Sequence, residues 1–77
     1  MAKLPAISSK KLIKFLESCG FSVHRYSGSH CVLRKKNPKR MIVVPVHTRD
    51  LPKGTILAVL RESELSKSKL ISYLQDK

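Results

Sequence analysis

The sequence predicts an α+β fold in the order helix, three strands, helix, helix, with the strands forming an antiparallel sheet and the helices on one of its faces. Three observations predict it. Both ends of the chain carry apolar residues at helical spacing. The middle reads as three short strand-like segments. The connections between those segments are only a few residues long, which joins them as a meander. A sheet that buries one face under helices suits a chain of 77 residues and leaves the other face free to meet a ligand.

Each element carries its own signals. Pro5 marks an irregular lead-in to "SSKKLIKFLESCGF". There Ser8 or Ser9 serves as N-cap, Leu12, Ile13, Leu16 and Cys19 recur at helical spacing with Phe15 beside them, and Gly20 is the natural C-terminal cap. Lys10, Lys11 and Lys14 fall on the polar side. "FSVHRY" alternates Phe21, Val23 and Arg25 against Ser22, His24 and Tyr26. "HCVLRK" has three consecutive apolar residues, so the pattern does not say which of them faces inward. "MIVVPV" is β-branched and reaches Pro45, which fits an edge or a strand terminus. Ser27-Gly28-Ser29 and Lys36-Asn37-Pro38-Lys39 read as hairpin turns. After the loop "HTRDLPKG", Ile56, Leu57, Val59 and Leu60 repeat at helical spacing with Thr55 as the candidate N-cap. Ser66 caps a last helix that turns Leu70, Ile71 and Leu74 inward.

Composition bounds the class. The length fits a single domain, residues 1–77, with a thin core. Hydrophobic residues make up 42% of the chain, too many for a disordered one. No apolar run is long enough for a membrane helix, and "MAKLPAISSK" lacks the apolar stretch of a secretory signal. The expectation is a soluble cytoplasmic protein. Cys19 and Cys31 have no Cys-x-x-Cys spacing, so they read as small buried hydrophobes rather than a disulfide or zinc ligands.

Charge is the strongest signal. The formal net charge is +11, and residues 1–53 hold twelve basic against two acidic residues. Such a field raises the local concentration of anionic partners and speeds their encounter. Nucleic acid is the first candidate, an acidic protein the second. Metal-dependent nucleases need clustered carboxylates to hold Mg²⁺. Here Glu17, Asp50, Glu62, Glu64 and Asp76 contain no pair that reads as a metal site, and no Gly-rich phosphate loop is present. With aromatics at 5%, Tyr26 is available to stack on a base, but there is no aromatic platform of the kind single-strand readers use.

Histidine chemistry is left. An unperturbed imidazole, with a pKa of about 6.5, accepts and donates protons near neutral pH. RNA carries its own nucleophile, the 2′-OH. A base that takes its proton drives O2′ onto the adjacent phosphorus, the P–O5′ bond breaks, and O5′ takes up a proton. The products are a 2′,3′-cyclic phosphate and a 5′-OH, no metal is needed, and cations stabilise the phosphate charge. His30 has the best setting of the three histidines. It follows Gly28-Ser29, where backbone can approach a phosphate and Ser29 can donate, and Arg34, Lys35 and Lys36 come after it on the same strand. Hairpin pairing brings Arg25 near. Two readings stay open at this point: an ordinary turn-flanking histidine, or a proton-transfer group beside a polyanion. His24 is expected to project from the face opposite Val23. His47, beside Thr48 and Arg49, is a candidate for phosphate binding or for the acid. Lys53-Gly54-Thr55 opens a helix and is either an anion site or a cap with a solvated lysine.

These residues resemble the HicA toxin family, the small RNase half of HicAB toxin–antitoxin systems. "KLIKFLESCGF" resembles its first helix, "GSH" (Gly28-Ser29-His30) its signature turn and histidine, "VVPVH" the end of its third strand, and "LPKGTI" its Gly-Thr helix start. The ordered set spans about residues 4–62. The chain departs from the family in "ESEL", with Glu64 where glycine is usual, and in the Asn-Pro of "KKNPKR" where a Gly-containing turn is more usual. The resemblance implies a double-stranded-RNA-binding-domain-like fold and metal-independent cleavage of mRNA without a cofactor. It also implies His30 as the catalytic residue and a HicB-type antitoxin as partner. The expected RNA contacts are then Gly28, Ser29, Arg25, Arg34, Lys35, Lys36 and His47, with Lys53 and Thr55 outlying. The competing expectations are a non-catalytic RNA-binding module on the same basic surface and a basic adaptor for an acidic protein.

Overall fold

A computed structural model describes residues 4–37, 39–46 and 49–75. The order is α1 (Ser9–Ser18), β1 (Ser22–Ser27), β2 (His30–Lys36), β3 (Lys39–Pro45), α2 (Lys53–Ser63) and α3 (Lys67–Gln75). The three strands make one antiparallel sheet with β2 in the centre. The helix–strand–strand–strand–helix–helix order expected from sequence is therefore the one observed.

The helix ends are defined by their caps. Ser8, not Ser9, is the N-cap of α1, and its hydroxyl accepts from the Lys11 N–H at 3.2 Å. At the other end the chain passes through Gly20 at φ +102°. The Gly20 and Phe21 N–H groups bond back to the Glu17 and Leu16 carbonyls, the paired bonds of a Schellman motif. α2 starts two residues before the expected cap. Pro52 is its N-cap and Thr55 sits inside its first turn, because proline's fixed φ suits a helix start and its missing N–H costs nothing there. α2 closes on Glu64 at φ +60°, where Glu64 and Leu65 bond back to Arg61 and Leu60. Glu64 thus adopts the left-handed conformation that glycine favours. Ser66 caps α3 through the Lys69 N–H at 3.0 Å.

The core lies between the sheet and the helices. Leu12, Phe15 and Leu16 of α1 meet Cys31, Leu33, Ile42 and Val44 of the sheet and Ile56, Val59 and Leu60 of α2. Leu70 of α3 is buried and the Tyr73 ring meets Phe15 edge-on, 5.4 Å between centroids. Of the residues expected to face inward in α3, Leu70 is buried while Ile71 and Leu74 are half-buried; in α2, Leu57 is exposed, one step round the helix from the buried stripe. Cys31 is buried and Cys19 half-buried, both free thiols. No helix among the described residues is long and apolar enough to cross a membrane.

A bulge in β1 sets the faces of the sheet. Val23 pairs with Leu33, but Arg25 pairs with Val32, so His24 is the extra residue. Simple alternation would put Arg25 with Val23. The extra residue reverses the parity beyond it, so Arg25 joins the outer face while Tyr26, opposite Cys31, turns toward the helices. The outer face then carries Ser27, His30 and Pro45 in one row, and Arg25, Val32 and Val43 two rows on. Arg34 and Met41 follow, then Lys36 and Lys39.

Candidate active site

Gly28 and Ser29 form a two-residue hairpin loop flanked by the Ser27–His30 pair. Gly28 has φ +60°, and Ser29 is outside the left-handed region. Positive φ at the first loop position alone is the pattern of a type II′ turn, whose twist matches that of the flanking strands. A Cβ on Gly28 would meet nothing within 4 Å, so the space above the turn is open to a ligand. The turn is fixed from the other side as well. The Val46 N–H donates to the Ser29 carbonyl at 2.6 Å, tying the end of β3 to the loop.

His30 is the first residue of β2, exposed on the outer face. Ser27 stands directly opposite it and Arg25 diagonally, at a Cα separation of about 7–8 Å for such neighbours. An arginine side chain reaches a phosphate beside the imidazole from there. The constellation is therefore Arg25, Ser27, Gly28, Ser29 and His30. Ser27 was missed in the sequence reading; the two-residue loop, which makes positions 27 and 30 partners, is the signal that finds it.

The other predicted residues lie farther away. Arg34 shares the face of His30 but sits four residues along the strand, about 13 Å, and Lys36 six residues, about 20 Å. Lys35 has the opposite parity. Its ammonium lies 5.6 Å from the Phe21 ring centroid, a cation–π contact on the helical side. Lys53 and Thr55 begin α2. Arg40, at the start of β3, donates to the Glu62 carbonyl at 3.4 Å and pairs with Glu64 at the end of α2. α2 therefore runs antiparallel to β3, and its N-terminus lies at the His30 end of the sheet, in the helical layer. His24 is exposed at the bulge, beyond the Arg25 row. His47 lies outside the described residues.

A second feature borders the turn on its helical side. Lys10, Ile13 and Lys14 of α1 face Tyr26 and Val46 across a groove of about 360 Å³, with Glu17 at its end. Tyr26 is 62% exposed there. Its phenol is raised above its ordinary pKa, first by the hydrogen bond it donates to the Cys31 sulfur. Burial pushes the Cys31 thiol up. Among the described residues no three metal-ligating side chains come together.

A comparison with curated proteins found no match. A family model described as "HicA toxin of bacterial toxin-antitoxin" matches residues 9–65. That span holds α1, the whole sheet and α2 and stops before α3.

Proposed function

The chain belongs to the HicA toxin family of bacterial toxin–antitoxin systems, and from that premise we propose that it is a metal-independent endoribonuclease that cleaves mRNA with His30 as its catalytic residue. What supports the reading is the placing of an exposed histidine on a II′ turn, with an arginine diagonal to it on the same face.

In the proposed reaction an RNA phosphate sits over the Gly28–Ser29 loop. His30 exchanges a proton with the reacting oxygens: either it takes the 2′-OH proton while water protonates O5′, or it gives a proton to O5′ as the P–O5′ bond breaks while water accepts the 2′-OH proton. The Ser27 and Ser29 hydroxyls and the loop N–H groups orient the phosphate, and Arg25 holds the charge that builds on its oxygens. Lys53 and Thr55, at the same end of the molecule, are outlying phosphate contacts. A HicB-type antitoxin covers the outer face of the sheet, where Met41 and Val43 are 59% and 45% exposed within a basic border.

The test is RNA incubated in EDTA with the purified protein and with His30→Ala. Cleavage by the first and none by the second is expected. Equal cleavage by both removes His30 from the mechanism, and loss of all cleavage in EDTA removes the metal-free claim. In cells, induction should arrest growth and His30→Ala should relieve the arrest. A chain that only binds RNA would show salt-dependent binding and no product.

A further inference from the structure

The end of the sheet remote from His30 places cations opposite one another. In the β2–β3 ladder Lys36 faces Lys39 and Lys35 faces Arg40. Like charges directly opposite are destabilising, so each pair calls for a counter-charge. The protein meets that need for one of them. Arg40 pairs with Glu64 and donates to the Glu62 carbonyl, and Lys35 lies over Phe21. The other pair, on the outer face, has Arg34 as its neighbour two rows along. Arg40–Glu64 is the single ion pair among the described residues, and it lies on the other face. A surface hollow of about 410 Å³ opens among Arg34, Lys35, Lys36, Lys39, Arg40 and Met41.

We propose that Arg34, Lys36 and Lys39 form an anchor for the RNA backbone, separate from the Gly-Ser-His turn. The substrate is then gripped at two places along one strand. This rests on His30 being the reacting end. Lys36 lies about 20 Å from His30, so one phosphate cannot touch both ends. Val32, Val43 and Met41 fill the face between them and bring no competing charge. The anchor therefore rewards RNA long enough to span the sheet and gives nothing to a very short one. Cations condensed on the RNA are released when Lys36 and Lys39 neutralise its phosphates, which makes the anchor strongly salt-dependent.

The experiment measures binding of labelled single-stranded RNA by anisotropy, in a His30→Ala background so that nothing is cut. Lys36→Gln and Lys39→Gln are combined. Loss of two phosphate contacts should reduce the slope of log affinity against log salt by about 1.4, equivalent to about a 25-fold loss of affinity at 0.1 M salt, for an RNA of about twelve nucleotides. For about three nucleotides the same pair of substitutions should change affinity by less than about twofold, because so short a chain seated at the turn does not reach the anchor. The double variant should melt no lower than its parent, since it removes a like-charged pair. An equal loss at both lengths, no loss on the longer RNA, or a lower melting point overturns the proposal. So does RNA binding left intact while binding of an acidic protein partner is lost. Cleavage plays no part in the readout, so this result and the His30 result can fail independently.

Discussion

The Gly28 position gives the sharpest stereochemical prediction. Its φ of +60° is disfavoured for an L-residue, and a Cβ there would touch nothing within 4 Å. Gly28→Ala therefore carries no steric clash with the rest of the protein and only the backbone penalty, about 1–2 kcal/mol. For a domain of this size that lowers the melting temperature by about 4–16 °C. D-Alanine at position 28, introduced by chemical synthesis, is suited to positive φ. It should be tolerated, and by restricting the unfolded chain it should stabilise by about 0.4–1 kcal/mol. The turn sets where His30 stands, so Gly28→Ala should lose RNA cleavage at temperatures where it remains folded, and the D-alanine protein should keep it. Thermal melts followed by circular dichroism, paired with a cleavage assay, read both effects. If the L- and D-alanine proteins melt and cleave alike, the turn geometry is wrong.

Other positions give independent checks. Glu64→Gly should be neutral to stabilising by up to about 1.8 kcal/mol, because relief of the left-handed strain of about 1–2 kcal/mol offsets or outweighs the loss of an exposed ion pair worth about 0.2–1 kcal/mol; chemical denaturation measures it. Stability should fall as pH rises above about 8.5, where an unfolded cysteine ionises. The folded Cys31 thiol and Tyr26 phenol are both raised, so their contribution is intact below the unfolded values and is lost as pH climbs through the folded ones. Melting temperatures from about pH 7.5 to 9.5 should fall less steeply in Cys31→Ala; parallel curves would contradict this.

Much of the fold is legible because its signals are local. Ser8, Gly20 and Ser66 act within one helical turn, and the stripes of α1 and α2 need only a periodicity of 3.6. What stayed hidden depends on partners distant in sequence. The run Cys31-Val32-Leu33 has no alternation because Val32, at 8% exposure, is covered on the outer face between Arg25 and Val43. The bulge at His24 has no marker such as glycine, and it alone lets Val23 stay in the core while Arg25, in register with Ser27 and His30, faces outward. The site divides in the same way. Gly28, Ser29 and His30 are contiguous and readable as a unit, whereas Ser27 and Arg25 join them through strand pairing. Lys35 reads as one more basic residue in a run, and parity sends it to the helical side beside Phe21.

The central claim is that His30 serves a reaction in which RNA attacks itself. The most direct measurement is the chemistry of the cut ends, read by mass spectrometry on a defined RNA cleaved in EDTA. A 2′,3′-cyclic phosphate facing a 5′-OH, absent with His30→Ala, is the predicted result. A 5′-phosphate facing a 3′-OH would mean that water or hydroxide, not the 2′-OH, is the nucleophile, and would contradict the account.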